Sequence, residues 1–155
     1  MRYVNLHQAK FEYDDEDPPG YRGGVARVGR ELDAQETTVK WFEIPPGENL
    51  CPYHYEYVEE WLLVLDGEVV VRVPEGEETA DAGSLVRFPT GPEGAHKLTN
   101  RGDRPARVLM WSSSQEPAVA VYPDSDKIGV WPGDERDELM LRRGDGQVPY
   151  YEGEA

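Results

Sequence analysis

The run Glu59–Val73, EEWLLVL-DG-EVVVRV, constrains the fold more than any other stretch of the chain. Two short runs rich in leucine and valine meet at Asp66-Gly67, a pair suited to the backbone of a tight reversal. The pattern predicts a β-hairpin. Comparable segments follow or precede it: TTVKWFEI (37–44), SLVRFP (84–89), AHKLTN (95–100), ARVLMWSS (106–113) and AVAVYP (118–123). Clusters of Gly, Pro, Asn and Asp separate them, and Pro45-Pro46-Gly47 stops the first because proline cannot donate to a ladder. Strands of about 5–8 residues at about 8–12-residue spacing, without a convincing amphipathic helix, predict an all-β antiparallel barrel or sandwich. The segment DERDELMLRR (134–143) fits a helix by its acid-first, base-last order and a strand by its LMLR core, and both stay open.

A chain of 155 residues fits a single domain. Residues 1–24 read as an N-terminal arm, 25–123 as the barrel, and 124–155 as an extension packing on the barrel or on a partner subunit. With 16 basic against 31 acidic residues, the net charge of −15 repels phosphate backbones and anionic lipid, so neither nucleic acid nor a membrane is expected as partner. The N-terminus lacks an apolar signal core, and the single Cys51 permits no internal disulfide, which together suggest a cytoplasmic protein. Trp41 and Phe42 on the first long strand offer apolar area for a homodimer.

Chemistry concentrates in PYHYEYVEEW, Pro52 to Trp61, which sets His54, Glu56, Glu59 and Glu60 within seven residues. Side chains alternate along a strand, so His54 and Glu56 take one face and Tyr53, Tyr55 and Tyr57 the other. Two residues along a strand span about 6.6 Å, and both side chains can lean onto one ion about 2.1 Å from each ligand atom. Glu60 shares a face with Leu62 and Val64, where an unpaired carboxylate is costly. Of the three histidines, His54 and His96 both lie in strand segments beside Gly/Pro turns. A single strand histidine is usually exposed or hydrogen-bonded, and a single glutamate solvated; the combination is what points to a metal. Glu59 reads as surface, the tyrosines as outward packing, and Cys51, which has their parity, as a small buried thiol. Lys97 alternates away from His96, and Asn100 is expected to secure a turn.

The spacing Gly47-(six)-His54-Tyr55-Glu56-(three)-Glu60-(six)-Gly67 resembles the first cupin motif, G-x5-HxH-x3,4-E-x6-G. Fifteen residues on, Gly83-(five)-Pro89-Thr90-Gly91-(four)-His96-(three)-Asn100 resembles the second, G-x5-PxG-x2-H-x3-N. PYHYEYVEEWLLVLDG, FPTGPEGAH and VYPDSDKIGVW are similar to a group of small single-domain bacterial cupins whose members carry loose labels such as sugar-phosphate isomerase-like. The resemblance implies a jelly-roll β-barrel holding a divalent metal ion (Mn, Fe, Zn or Ni) on His54, Glu56, Glu60 and His96. Glu56 stands where the motif usually has a second histidine, which marks either an altered centre or an empty one. A metal-dependent isomerase, dioxygenase or decarboxylase acting on a small polar metabolite is implied; the alternative is a non-catalytic module binding a sugar or other small ligand. Arg72, Arg87 and Arg107 lie on strands, and two of them facing inward near His96 would imply a phosphorylated or carboxylated substrate.

Overall fold

A computed structural model describes residues 1–144 and 146–154. In chain order its strands are β1 (Glu12–Tyr13), β2 (Gly24–Ala26), β3 (Thr37–Ile44), β4 (Tyr55–Glu56), β5 (Glu60–Asp66), β6 (Glu68–Val73), β7 (Gly76–Asp81), β8 (Leu85–Phe88), β9 (Lys97–Thr99), β10 (Ala106–Ser113), β11 (Ala118–Tyr122), β12 (Lys127–Trp131) and β13 (Leu139–Arg142). One short helix, α1 (Val28–Glu31), precedes β3. The strands form a six-stranded sheet ordered β1-β2-β3-β10-β5-β8, a four-stranded sheet ordered β13-β12-β11-β4, and a three-stranded sheet ordered β7-β6-β9. Every pairing is antiparallel. The all-β jelly roll expected from the sequence is the fold observed.

The core lies between the six-stranded and three-stranded sheets. Ile44, Leu62, Val64 and Val108 from the first meet Val69, Val71 and Leu98 from the second, all of them buried. Each such side chain is worth about 1.5–3 kcal/mol of apolar transfer, which makes this layer the main source of stability. Asp66-Gly67 does not close a hairpin. β5 pairs with β10 and β8, whereas β6 pairs with β7 and β9, so Gly67 is a corner at which the chain changes sheets. Alternation cannot tell the two apart. Leu62, Val64, Val69 and Val71 would share one face of a hairpin, and here they face one another across the core. Gly67 (φ 74°) also lies so close to Ala106 that a Cβ would be 3.0 Å from its Cα.

β3 is covered on both sides. Phe42 and Ile44 point into the core, while Trp41 is buried beneath Ala26 and Val28, with the Phe11 ring stacked 6.1 Å away. The apolar area that Trp41 and Phe42 were expected to offer a partner is therefore taken up by the chain's own arm and core. Residues 134–143 divide: Glu135–Asp137 is a 3-10 turn and Leu139–Arg142 is strand β13. Among the described residues no helix is long and apolar enough to cross a membrane.

Candidate metal centre

The inner face of the large sheet carries the site. Thr38, Ser112, Glu60 and Phe88 align across β3, β10, β5 and β8, and Lys40, Met110 and Leu62 form the next row inward. Glu60 thus stands at the head of β5, one step beyond the apolar layer of Leu62 and Val64. His54 and His96 come from outside the long strands. They pair through an isolated bridge, with backbone bonds of 3.1 Å from His54 N to His96 O and 2.8 Å from His96 N to His54 O. That bridge, just before β4 and β9, brings the two sequence motifs together.

Each imidazole is locked from behind. Nδ1 of His54 lies 3.0 Å from the Pro52 carbonyl, and Nδ1 of His96 lies 2.9 Å from the Gly94 carbonyl. A carbonyl only accepts, so in both rings the proton sits on Nδ1 and Nε2 presents a bare lone pair. The His96 ring stacks on Phe88 at 3.7 Å and the His54 ring on Tyr122 at 5.8 Å. Gly94 makes the His96 lock possible: a Cβ there would meet the Pro89 carbonyl oxygen, so the loop closes only without a side chain. Gly91, at φ 79°, supplies the preceding reversal and donates its N–H to the Glu56 carbonyl at 2.7 Å.

The two lone pairs converge on a carboxylate. Glu60 Oε2 lies 3.9 Å from His54 Nε2 and 3.8 Å from His96 Nε2, and Glu56 Oε1 lies 3.9 Å from His54 Nε2. Two ligand atoms about 2.1 Å from one ion are about 3–4 Å apart, so these separations suit a shared cation and are too long for direct hydrogen bonds. His54, Glu60 and His96 bring their ligand atoms within 4.8 Å of one another. Glu56 borders this cluster and stands outside it. His96 Nε2 is fully buried and has no hydrogen-bond partner among the described residues, a costly condition for a polar atom unless something binds there.

Electrostatics agree with this geometry. Burial raises Glu60 from 4.5 to about 8, with the nearby Glu56 adding to the effect, and burial also raises Glu56. Burial, followed by the neighbouring His54, lowers His96 from 6.5 to about 3, and burial lowers His54. Both imidazoles are thus neutral at pH 7, the form that donates a lone pair to a metal. The donor set of two imidazoles and one or two carboxylates fits manganese, iron, zinc or nickel in the divalent state.

The family model described as a cupin domain matches residues 40–112. Tetracenomycin polyketide synthase protein TcmJ of Streptomyces glaucescens is 33% identical over 112 residues, spanning 70% of this chain and 74% of that protein. The chain belongs to the cupin family. Among solved structures, a sugar phosphate isomerase from a cupin superfamily of Silicibacter pomeroyi superposes with a TM-score of 0.81 at 21% identity, covering 96% of this chain and 98% of its own. The polyketide cyclase RemF of Streptomyces resistomycificus gives 0.63 at 21% identity, covering 76% and 83%. At these identities the superpositions speak for the cupin fold.

The remaining residues fall into place on this cupin. Tyr53 and Tyr55 pack outward beneath Val121 of β11, whereas Tyr57 is exposed at the cavity rim. Glu59 turns outward to Arg87 and the Trp61 indole, at 2.7 and 2.8 Å. Asn100 is buried and secures its turn through bonds to the Ile44 and Arg104 carbonyls, at 2.7 and 2.8 Å. Lys97 points away from the pocket, toward the Tyr21 ring. Cys51 departs from the reading of its parity: it lines the cavity beside His54, and burial together with nearby Glu60 pushes its thiol up to about 12. Alternation fails there because the chain bends at Pro52 and is not strand before His54. Arg72, Arg87 and Arg107 all face outward and are paired, with Asp124, Glu59 and Glu43. Lys40, which the motif comparison passed over, lines the cavity instead; its parity with the inward Phe42 and Ile44 was the available signal.

Proposed function

We propose that this cupin is a metal-dependent enzyme that activates a carbonyl compound in the cavity of about 710 Å³ beside His54, Glu56 and Glu60. The observation that carries the reading is the pair of Nε2 lone pairs, one of them buried and unpartnered, aimed at the Glu60 carboxylate 3.8 and 3.9 Å away. His54, Glu60 and His96 would hold the ion, with Glu56 at the border of the cluster. A divalent ion held there supplies a Lewis acid that polarises a carbonyl oxygen. Glu56, which lines the cavity beside the cluster, takes a proton from the carbon next to a bound carbonyl; burial raises its basicity for the task. Met110, Phe42 and Leu50 keep bulk water from the inner wall. Proton removal of this kind is common to isomerisation and to ring closure, and the relatives' names, a sugar phosphate isomerase and a polyketide cyclase, agree with it.

Metal analysis tests the reading directly. Protein purified without chelator or nickel resin retains about one transition-metal ion per chain, and His54→Ala and Glu60→Gln lose it while staying folded. Wild-type protein that stays metal-free after exposure to manganese, iron and zinc overturns the enzyme. The second reading, a non-catalytic module for a sugar or other small ligand, draws on one feature: Glu56 replaces the usual motif histidine and stands outside the three-residue cluster. Solvent deuterium entering a bound ketone only in the metal-loaded protein separates the two.

For partners we propose a small organic ligand and a second copy of the chain, in a reducing compartment that keeps Cys51 a thiol. Leu65 and Leu85, on the outer face of β5 and β8, are exposed and supply the apolar surface for the second copy. Light scattering that returns the mass of one chain overturns the dimer.

A further inference from the structure

The charge of the cavity wall is unbalanced in a way that bears on its ligand. Among the described residues its lining holds five carboxylates, Glu56, Glu60, Glu116, Glu135 and Glu138, and a single lysine or arginine, Lys40. Glu116, Glu135 and Glu138 are exposed and form the rim, whereas Glu56 and Glu60 lie deeper. A divalent ion at the inner site would offset Glu56 and Glu60 and would leave the rim negative. No arginine contributes, because Arg72, Arg87 and Arg107 are turned to the outside and already paired. Phosphate recognition ordinarily draws on several guanidinium groups, ammonium groups or backbone N–H donors acting together. A doubly charged phosphate ester would pass a negative rim to reach one ammonium.

Lys40 occupies a particular place in that wall. It stands opposite Met110 on the inner face, one row from the line of Thr38, Ser112 and Glu60. Its charge is felt at His54, Glu56 and Glu60. Yet it makes no hydrogen bond or ion pair with another described residue. Its side chain is exposed at the cavity, within electrostatic reach of Glu56 and Glu60, and, paired with neither, it is free to take an oxygen of a ligand. The neighbouring surface from Phe42, Leu50, Met110, Val119 and Trp131 is apolar or aromatic.

We infer that Lys40 is the specificity-determining residue of the cavity: it anchors one singly charged oxygen, that of a carboxylate or an enolate, on a compound with an apolar body, and the acidic rim turns phosphate esters away. This deepens the enzyme reading above and rests on the same cavity. It also separates this chain from the phosphorylated substrates that the name of one structural neighbour suggests.

Calorimetric binding of three probes tests it: 3-phenylpropionate, a monoanion with an aromatic body; benzylacetone, its uncharged ketone counterpart; and ribose 5-phosphate. Each is titrated into manganese-loaded and metal-free wild type, Lys40→Met and Lys40→Arg. The expected result is a loss of about tenfold or more in 3-phenylpropionate affinity for Lys40→Met, near-wild-type affinity for Lys40→Arg, and benzylacetone unchanged within about twofold. Ribose 5-phosphate is expected to bind wild type at least about tenfold more weakly than 3-phenylpropionate. Ribose 5-phosphate binding more tightly than 3-phenylpropionate, or Lys40→Met weakening the charged and uncharged probes alike, overturns the inference. The wild-type to Lys40→Met ratio is read in both metal states, so a chain that takes up no metal defeats the enzyme reading and leaves this test standing.

Discussion

His54 and His96 are locked from behind by backbone carbonyls, whereas Glu56 and Glu60 are held by strand position alone. Each imidazole spends its Nδ1–H on a loop carbonyl and stacks on an aromatic ring. Neither carboxylate accepts a hydrogen bond from another described residue; Glu60 Oε2 lies 3.8 and 3.9 Å from the two Nε2 atoms, and Glu56 Oε1 lies 3.9 Å from that of His54. One half of the site is thus fixed and neutral, and the other is adjustable and supplies negative charge when it ionises. A cation needs both: lone pairs fixed in direction, and an anion able to close the last few tenths of an ångström. The contrast also assigns costs. Without a cation the histidine half is merely unsatisfied, while the carboxylate half opposes ionisation.

The largest expected effect comes from removing the charge. Glu60→Gln is nearly isosteric, so it lowers manganese affinity by at least about a hundredfold and leaves the fold intact. At pH 8 the metal-free variant melts higher than metal-free wild type, because the buried charge is gone. A lower melting point for the variant would mean that Glu60 is satisfied without a metal, and the contrast between the halves would fail.

Next comes the lock on His96. In Gly94→Ala the new methyl meets the Pro89 carbonyl oxygen, so the loop must shift and the Nδ1 acceptor moves with it. We expect a stability loss of about 2–4 kcal/mol in denaturant titration and weaker metal binding. A variant with wild-type stability and metal affinity would show that the loop does not hold the ring.

The two halves also respond to pH in opposite directions. Glu60, raised from 4.5 to about 8, contributes stability to the metal-free protein that is complete below pH 4.5 and lost as pH rises toward 8. His96, lowered from 6.5 to about 3, contributes stability that is complete above pH 6.5 and lost as pH falls toward 3. Metal binding ionises Glu60, so at pH 6–7 it should release about one proton, measured by calorimetry in buffers of different ionisation enthalpy. Binding without proton release would place the ion away from Glu60. The smallest effect belongs to Tyr122→Phe, which keeps the ring against His54 and should change metal affinity by less than about twofold.

Much of this was legible in the sequence. The period-two runs of β5, β6 and β10, and the spacing of His54, Glu60 and His96, led to the fold and to three residues that the structure brings together. What stayed hidden has physical reasons. β7 is an exposed strand with only Ala80 buried, so it shows no apolar alternation. Gly67 reads equally as a hairpin turn and as a corner between sheets, because inward residues match in both. Cys51 precedes the bend at Pro52, where strand parity does not carry through. The facing of Arg72, Arg87 and Arg107 depended on register, and one residue of register decides between cavity and solvent. Lys40 was readable by parity, yet a lysine in an apolar strand draws attention only once its inward neighbours are known.

Anomalous diffraction from manganese-soaked crystals, collected near the manganese edge, shows whether His54, Glu60 and His96 share one ion. One strong peak per chain is expected, within bonding distance of Nε2 of both His54 and His96 and of a Glu60 carboxylate oxygen. A soaked crystal with no peak there, or with density only at the exposed rim glutamates, would contradict it.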